Sequence, residues 1–326
     1  MSSDSPHLVV LHGADLPPRP ELFTADPRVG PVSYTTADHL PDVLPGARAL
    51  FVWELFSEAV AAAWHKADTL RWVHAATAGV DNLMFPGLVD SDVVLTNSRG
   101  VFDRPIAEYV LGLVLALAKD LPGTHDLQRQ RAWRHRETEP IGGRHALVVG
   151  TGPIGRAIAG QLCAAGLTVE GVGRSARTAD PDFGTVTAST ELHLVLPRAD
   201  YVVLAAPLTD ATRGLIDAAA LSRMRPTARL INVGRGQLVV EADLVEALRE
   251  GTIAGAALDV FEDEPLPESS PLWELPGVIV SPHMSGDVIG WREELVRLFA
   301  DNLARFLDGR ELRNVVDKGR GYVSGP

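Results

Sequence analysis

A single cysteine, Cys163, stands in the 326-residue chain, so no disulfide can form within it, and a reducing compartment, the cytoplasm, is the simple expectation. That cysteine reads as a small buried apolar side chain. Positive charge is scarce: 30 Lys and Arg face 42 Asp and Glu, a formal net charge of -12. This argues against nucleic acid or an anionic membrane surface as the main partner, and the one basic cluster, residues 129–136, is short. Long apolar runs are missing too. The strongest, residues 109–118, is about half of what a membrane span requires, and no cationic segment precedes the short run at residues 8–11 as it would in a secretory signal. There is no internal repeat and no low-complexity linker, and no metal site is expected. A small molecule is the expected partner.

What the chain does have is ample core material. Hydrophobic residues make up 46% and charged residues 22%, a globular composition, and the length exceeds one usual hydrophobic core, which predicts two domains. Short runs rich in Val and Leu recur at His7–Leu11, 50–53, 146–149, 169–172, Tyr201–Leu204, 230–233 and Val278–Val280, the pattern of strands buried on both faces. Helical patterns lie between most of them. That alternation predicts an α/β protein with parallel sheets and right-handed crossovers. Pro105 opens a strongly apolar helix through Ala118, with Glu108 in its first turn and Lys119 at its end. It is too apolar to face water, so it is expected to pack on the other domain or on another subunit, and a homodimer follows. Residues 262–271, with Pro265, Pro267 and Pro271 among acidic and serine residues, read as a loop.

The first chemical motif is Gly150-Thr151-Gly152-Pro153-Ile154-Gly155, preceded by a strand run and followed by a helical pattern. That context makes it a specific dinucleotide signal. Gly150 allows the tight turn, Gly152 lets the backbone approach a pyrophosphate, and Gly155 lets helix and strand pack closely. The next strand end decides between cofactors. Gly173, eighteen residues beyond Gly155, stands where NAD-specific folds place a carboxylate for the ribose 2′-hydroxyl, and Arg174, Ser175 and Arg177 follow. Guanidinium groups bind a 2′-phosphate through charge-assisted hydrogen bonds, so the expected cofactor is NADP. The plain alternative is that these arginines are solvated loop charges.

Asn232-Val233-Gly234-Arg235-Gly236, Leu258-Asp259-Val260-Phe261-Glu262-Asp263-Glu264-Pro265 and Ser281-Pro282-His283 follow in that order. With the glycine motif, they make the chain resemble the D-isomer-specific 2-hydroxyacid dehydrogenases, and within them the bacterial glyoxylate/hydroxypyruvate reductases. The resemblance runs from about Trp72 to His283. It implies that Arg235, Glu264 and His283 are the catalytic Arg, Glu and His; Glu262 is the alternative carboxylate, but the family's is the one directly before proline.

The chemistry of a 2-keto acid calls for these side chain types. Its carboxylate and carbonyl oxygen lie in one plane that the fork of a guanidinium can engage, which suits Arg235. As hydride reaches the keto carbon, charge builds on the oxygen and a nearby acid must supply a proton, which suits His283. A carboxylate on the far ring nitrogen fixes the imidazole and favours its protonated form, which suits Glu264. Taken singly, each could be a surface or loop residue.

The resemblance implies further roles. Ala78 and Gly79, in Ala76-Thr77-Ala78-Gly79-Val80-Asp81, would hold the substrate carboxylate through backbone N–H groups; the alternative is a plain turn after a strand. Ala206, Pro207 and Thr212 would line the nicotinamide side, with Val233 and Gly234 also against the cofactor, and Asp259 would contact the carboxamide. Trp53 would close the pocket or pack in the core, and Trp133 would reach a partner subunit's site. The resemblance also implies a flavodoxin-like substrate domain, residues 1–101 completed by 284–326, and a Rossmann domain, 102–283, with the active site in a cleft between them. The resulting expectation is NADPH-dependent reduction of a small 2-keto acid to the D-2-hydroxy acid. The alternatives are a reductase for a larger acid, such as phenylpyruvate or 2-ketogluconate, and a dinucleotide-binding co-regulator without turnover.

Overall fold

The computed structural model describes residues 5–55 and 57–323. The chain divides into two compact units, one made of residues 1–102 and 288–326, the other of residues 103–287.

The first unit is built on a five-stranded parallel sheet of β1 (His7–Leu11), β2 (Val32–Thr35), β3 (Ala47–Val52), β4 (Trp72–Ala75) and β5 (Val94–Thr96), in the order β2-β1-β3-β4-β5. This is the flavodoxin-type order. Period-2 alternation sends Val9, Leu11, Leu50 and Val52 to one face and Leu8, Val10 and Phe51 to the other, and both faces are covered. The helix Trp291–Leu307 covers the second face through Leu295, Val296, Phe299 and Leu303. Phe299 stacks on Phe51, with ring centroids 4.0 Å apart, and on Trp72 at 5.2 Å. Such offset aromatic contacts add to the stabilisation from burial alone.

The second unit holds eight strands: β6 (His145–Val149), β7 (Thr168–Gly173), β8 (Arg177–Asp180), β9 (Gly184–Ala188), β10 (Tyr201–Leu204), β11 (Arg229–Asn232), β12 (Gly255–Leu258) and β13 (Val278–Val280). Their order is β13-β12-β11-β10-β6-β7-β9-β8, all parallel except the edge pair β8 and β9. The order reverses between β6 and β10, which is where open parallel sheets of this type bind ligands, beyond the carboxyl ends of the strands.

Two expectations need correction. The apolar helix, Asp103–Ala118, finds its cover within its own unit: Ile106, Ala107, Val110, Leu113, Val114, Leu117 and Ala118 are buried, and its neighbours are the helix Pro153–Ala164 and β12. Its composition therefore needs no second subunit. Cys163 is exposed. The helix Pro153–Ala164 buries Gly155, Ile158, Ala159 and Leu162, the i, i+3, i+4, i+7 stripe, and Cys163 falls one residue past it.

Candidate active site

In the second unit, the residues expected to handle cofactor and proton lie at or just beyond the carboxyl ends of strands. The glycine turn follows β6. Gly150 has φ of 112°, and a Cβ there would stand 2.5 Å from the Ala205 carbonyl oxygen. At Gly155 an added Cβ would lie 1.8 Å from the Gly150 carbonyl oxygen. Gly152 caps the twelve-residue helix Pro153–Ala164 without a side-chain bond, and a Cβ on it would meet nothing within 4 Å. Pro153 opens the helix and Ile154 is half-buried. The first N–H groups of a full-length helix are thus kept clear of side chains, which suits an anionic pyrophosphate.

After β7, Arg174 and Ser175 are exposed, whereas Arg177 begins β8 and is drawn onto Asp180, Nε to Oδ2 at 2.7 Å. The Asp180 side chain is nearly fully buried, and Arg156 clasps it with both Nη atoms at 3.0 Å. Burial pushes the Asp180 carboxyl up, but Arg156 and Arg177 outweigh it and hold it well below the usual carboxylate range. Arg177 therefore shares its charge with a structural carboxylate.

Beyond β10, Ala206 has its side chain in the core, so its offering is backbone alone. Pro207 is exposed and its carbonyl accepts the Thr212 hydroxyl at 2.7 Å, while Thr212 Oγ1 accepts the Thr209 N–H at 2.8 Å. Thr212 closes that loop. After β11, Val233 is buried, and Asn232 braces the next turn, its amide donating to the Arg235 carbonyl at 2.9 Å and its Oδ1 accepting the Gly234 N–H at 3.1 Å. Arg235 Nη1 donates to the Gly234 carbonyl at 2.9 Å.

The proton-handling pair follows β12 and β13. His283 Nδ1 lies 2.7 Å from Glu264 Oε2, and the other Glu264 oxygen accepts the Phe261 N–H at 3.0 Å. Burial pushes the Glu264 carboxyl up. The hydrogen bonds from His283 and Phe261, with the charges of His283 and Arg235, outweigh that and leave it below its ordinary value. An ionised carboxylate only accepts, so Nδ1 carries the hydrogen there and Nε2 is the ring nitrogen turned away from Glu264. Glu262 points elsewhere: its carboxylate accepts the Glu241 N–H at 3.0 Å. Glu264 is the histidine's partner.

His283 has φ of 51°, a left-handed conformation that needs external support. Asp259 supplies it. This residue is fully buried; Oδ1 accepts the Ser281 hydroxyl at 2.6 Å and the Met284 N–H at 3.0 Å, Oδ2 accepts the Ser285 N–H at 2.8 Å, and its carbonyl accepts the His283 N–H at 2.8 Å. These bonds hold Met284 and Ser285 to the second unit, which runs to residue 287. Sequence reasoning assigned Asp259 to the cofactor and missed this use of it, as well as Ser281, Ser285 and Asn232.

In the first unit, Trp53 is 6% exposed and meets Phe51 edge to face, so most of its surface is core packing. Ala78 and Gly79 follow β4. Asn97 Nδ2 donates to the Ala78 carbonyl at 2.5 Å and the Thr77 hydroxyl to the Gly79 carbonyl at 2.6 Å, so both carbonyls of the loop are taken up by the protein. Beneath it runs a buried chain: Trp72 Nε1 donates to Thr96 Oγ1 at 2.8 Å, which stands 2.7 Å from His74 Nδ1, and Ser98 Oγ donates to the Ala75 carbonyl at 3.0 Å. Complete burial lowers His74 to about 3, so its ring is neutral and structural. Trp133 is fully exposed. Among the described residues no cluster of His, Cys, Asp and Glu could hold a metal ion, and no helix is long and apolar enough to cross a membrane.

Residues 111–285 match the sequence model of the D-isomer specific 2-hydroxyacid dehydrogenase NAD binding domain. A glyoxylate reductase of Thermofilum pendens is 33% identical over 261 residues, 77% of this chain and 76% of its own. Among solved structures, a D-isomer specific 2-hydroxyacid dehydrogenase of Xanthobacter autotrophicus in complex with NADPH and MES is 32% identical, with a TM-score of 0.82 over 98% of this chain and 100% of that one. An NADPH-dependent glyoxylate/hydroxypyruvate reductase of Sinorhizobium meliloti, in complex with NADP and sulfate, is 29% identical, with a TM-score of 0.79 over 97% of this chain and 100% of that one.

Proposed function

The chain belongs to the D-isomer specific 2-hydroxyacid dehydrogenase family, and on that footing we propose that it uses NADPH to reduce a small 2-keto acid, of the glyoxylate or hydroxypyruvate kind, to the D-2-hydroxy acid. The observation that carries the reading is the His283–Glu264 pair, 2.7 Å apart, with Arg235 close enough for its charge to act on Glu264.

The residues divide the work as follows. The Arg235 fork binds the substrate carboxylate and keto oxygen, and Ala78 and Gly79 bind the carboxylate through their N–H groups. Bound NADPH supplies the hydride that reaches the keto carbon. His283 Nε2 gives its proton to the oxygen as negative charge builds there, and Glu264 holds the ring by Nδ1 and stabilises the imidazolium before transfer. Gly150, Gly152 and Gly155 would shape the turn that holds the pyrophosphate, Pro153, Ile154, Ala206, Pro207, Thr212, Val233 and Gly234 would form the walls around the cofactor, and Asp259, buried with both carboxylate oxygens taken, would act on the carboxamide side through the loop it braces. Arg174 and Ser175 hold the 2′-phosphate, aided by the part of Arg177 not taken by Asp180.

The homodimer reading rests on Trp133, fully exposed, and Leu121, 51% exposed, apolar surface that a second copy would cover. The decisive experiment is a panel of 2-keto acids with NADPH and NADH, comparing kcat/KM. Glyoxylate or hydroxypyruvate with NADPH is expected to lead; absence of any turnover would remove the enzymatic reading.

A further inference from the structure

At the carboxyl ends of β1 and β3, the first unit holds a cavity of about 160 Å³ whose lining includes Gly13, Asp15, Trp53, Glu54, Trp291 and Arg292. With about 30 Å³ per water in the liquid, it has room for about five water-sized groups. Its two loops are pinned together, because the Trp53 and Glu54 N–H groups both donate to the Leu11 carbonyl, at 2.8 and 3.0 Å.

Its charges do not balance. Arg292 Nη2 lies 3.1 Å from Asp15 Oδ2, so that cation and that anion answer each other. Glu54 remains: its Oε2 is buried and meets no hydrogen-bond donor among the described residues. A carboxylate oxygen withdrawn from water calls for a donor, and a cation answers it best. Trp53 adds an aromatic wall, a surface that also favours a cation, whereas the Trp291 ring already carries the Arg292 guanidinium, 5.4 Å from its centroid.

The cavity lies on the same sheet edge as Ala78 and Gly79, since β1, β3 and β4 are parallel neighbours. At about 4.8 Å per strand, one to two spacings place it about 5–10 Å from that loop. We infer that the cavity is a subsite for the far end of the substrate, and that it takes a 2-keto acid whose chain ends in an ammonium or guanidinium group. At about 1.5 Å per bond, that group stands about four to six atoms beyond the keto carbon. Glu54 accepts its N–H donors and acts as a specificity residue. This rests on the reading of Ala78 and Gly79 as the carboxylate loop; glyoxylate and hydroxypyruvate engage the reacting end alone.

The test compares kcat/KM with NADPH for 2-oxo-5-guanidinopentanoate, 2-oxohexanoate and 2-oxogluconate, in wild type and Glu54→Gln. The guanidino acid is expected to exceed the aliphatic acid by about tenfold or more, and Glu54→Gln to bring that ratio close to one, since a charge-assisted bond is lost. The ratio is internal to each protein, so partial misfolding of the variant cancels. A wild-type ratio near one, a ratio unmoved by Glu54→Gln, or a polyhydroxy acid preferred over the guanidino acid would overturn the inference. Titration with 2-hydroxy-5-guanidinopentanoate, followed by tryptophan fluorescence, gives a second reading independent of turnover. Binding weakened about tenfold by Glu54→Gln supports the cavity even where no keto acid is reduced, an outcome that sinks the proposed reaction alone. Equal binding in both proteins sinks the cavity, whatever the turnover.

Discussion

Asp259 and His283 are tied through the backbone: the His283 N–H donates to the Asp259 carbonyl at 2.8 Å, and the carboxylate of the same aspartate receives the N–H groups of Met284 and Ser285. The imidazole is thus carried on a left-handed residue whose next two neighbours, Met284 and Ser285, are held by one buried side chain.

Asp259→Asn tests that seat. The amide keeps one acceptor and turns the other into a donor, which must then face either the Ser285 N–H or the Met284 N–H and Ser281 hydroxyl. A buried donor against a donor costs about 1–3 kcal/mol. A melting temperature lower by a few degrees, with kcat down about tenfold or more, is expected from thermal melts beside steady-state kinetics. An unchanged melt and unchanged kcat would show that the loop holds its shape without the carboxylate.

His283→Gln removes the proton donor and is expected to lower kcat by about 10²–10⁴-fold, with NADPH affinity little altered. Calorimetric titration of the cofactor separates the two effects. A variant retaining most of its kcat would take His283 out of the reaction.

Glu264 has a depressed pKa, so its carboxylate stays ionised through neutral pH and loses its charge only on acidification past its ordinary value. An alkaline limb in the rate of reduction therefore does not come from Glu264. Protonating Glu264 releases its hold on the imidazole, so kcat/KM for glyoxylate should show an acid limb that Glu264→Gln, which cannot titrate there, removes. A profile that superimposes on the wild type would make Glu264 a spectator.

Arg174→Ala reads the cofactor. Hydrogen bonds to charged groups contribute about 1.5–3 kcal/mol, so kcat/KM for NADPH should fall about 10- to 100-fold while that for NADH barely moves. Equal losses for both would place Arg174 away from the 2′-phosphate. Arg177, tied to Asp180, is the poorer choice for this experiment, because its removal also disturbs a buried carboxylate.

Gly155→Ala should prevent the glycine turn from closing. The added Cβ would sit 1.8 Å from the Gly150 carbonyl oxygen, a backbone atom that cannot swing aside. Loss of soluble protein, or of NADPH binding in whatever folds, is the expected result; a stable variant with wild-type binding would contradict the packing.

The strands most readable in the sequence were those buried on both faces: β1, β10 and β13 coincide with their apolar runs, and β6, β7 and β11 differ by a residue at one or both ends. Those the pattern passed over have reasons of composition. β2 is Val-Ser-Tyr-Thr, β8 is Arg-Thr-Ala-Asp and β9 is Gly-Thr-Val-Thr-Ala, polar segments at or near sheet edges; β4 buries a histidine, and β12 is Gly-Ala-Ala-Leu, too small to register as a run. The site was legible wherever a residue type and a spacing coincide, as in the glycine turn. Asp259's hold on Ser281 was not, because β12 and β13 become neighbours only in the sheet. Cys163 illustrates the same limit: one step along a helix separates a buried position from an exposed one.

The first unit takes its strands from the beginning of the chain and its long helix from the end, and this fixes when it can be finished on the ribosome. Until Phe299 emerges, the sheet face bearing Leu8, Val10, Phe51 and Trp72 has lost the helix that stacks on it, while the continuous second unit is synthesised and can close first. A nascent chain in that interval carries an uncovered apolar sheet, and a release that stops short of the helix would leave that sheet open to self-association and to chaperones.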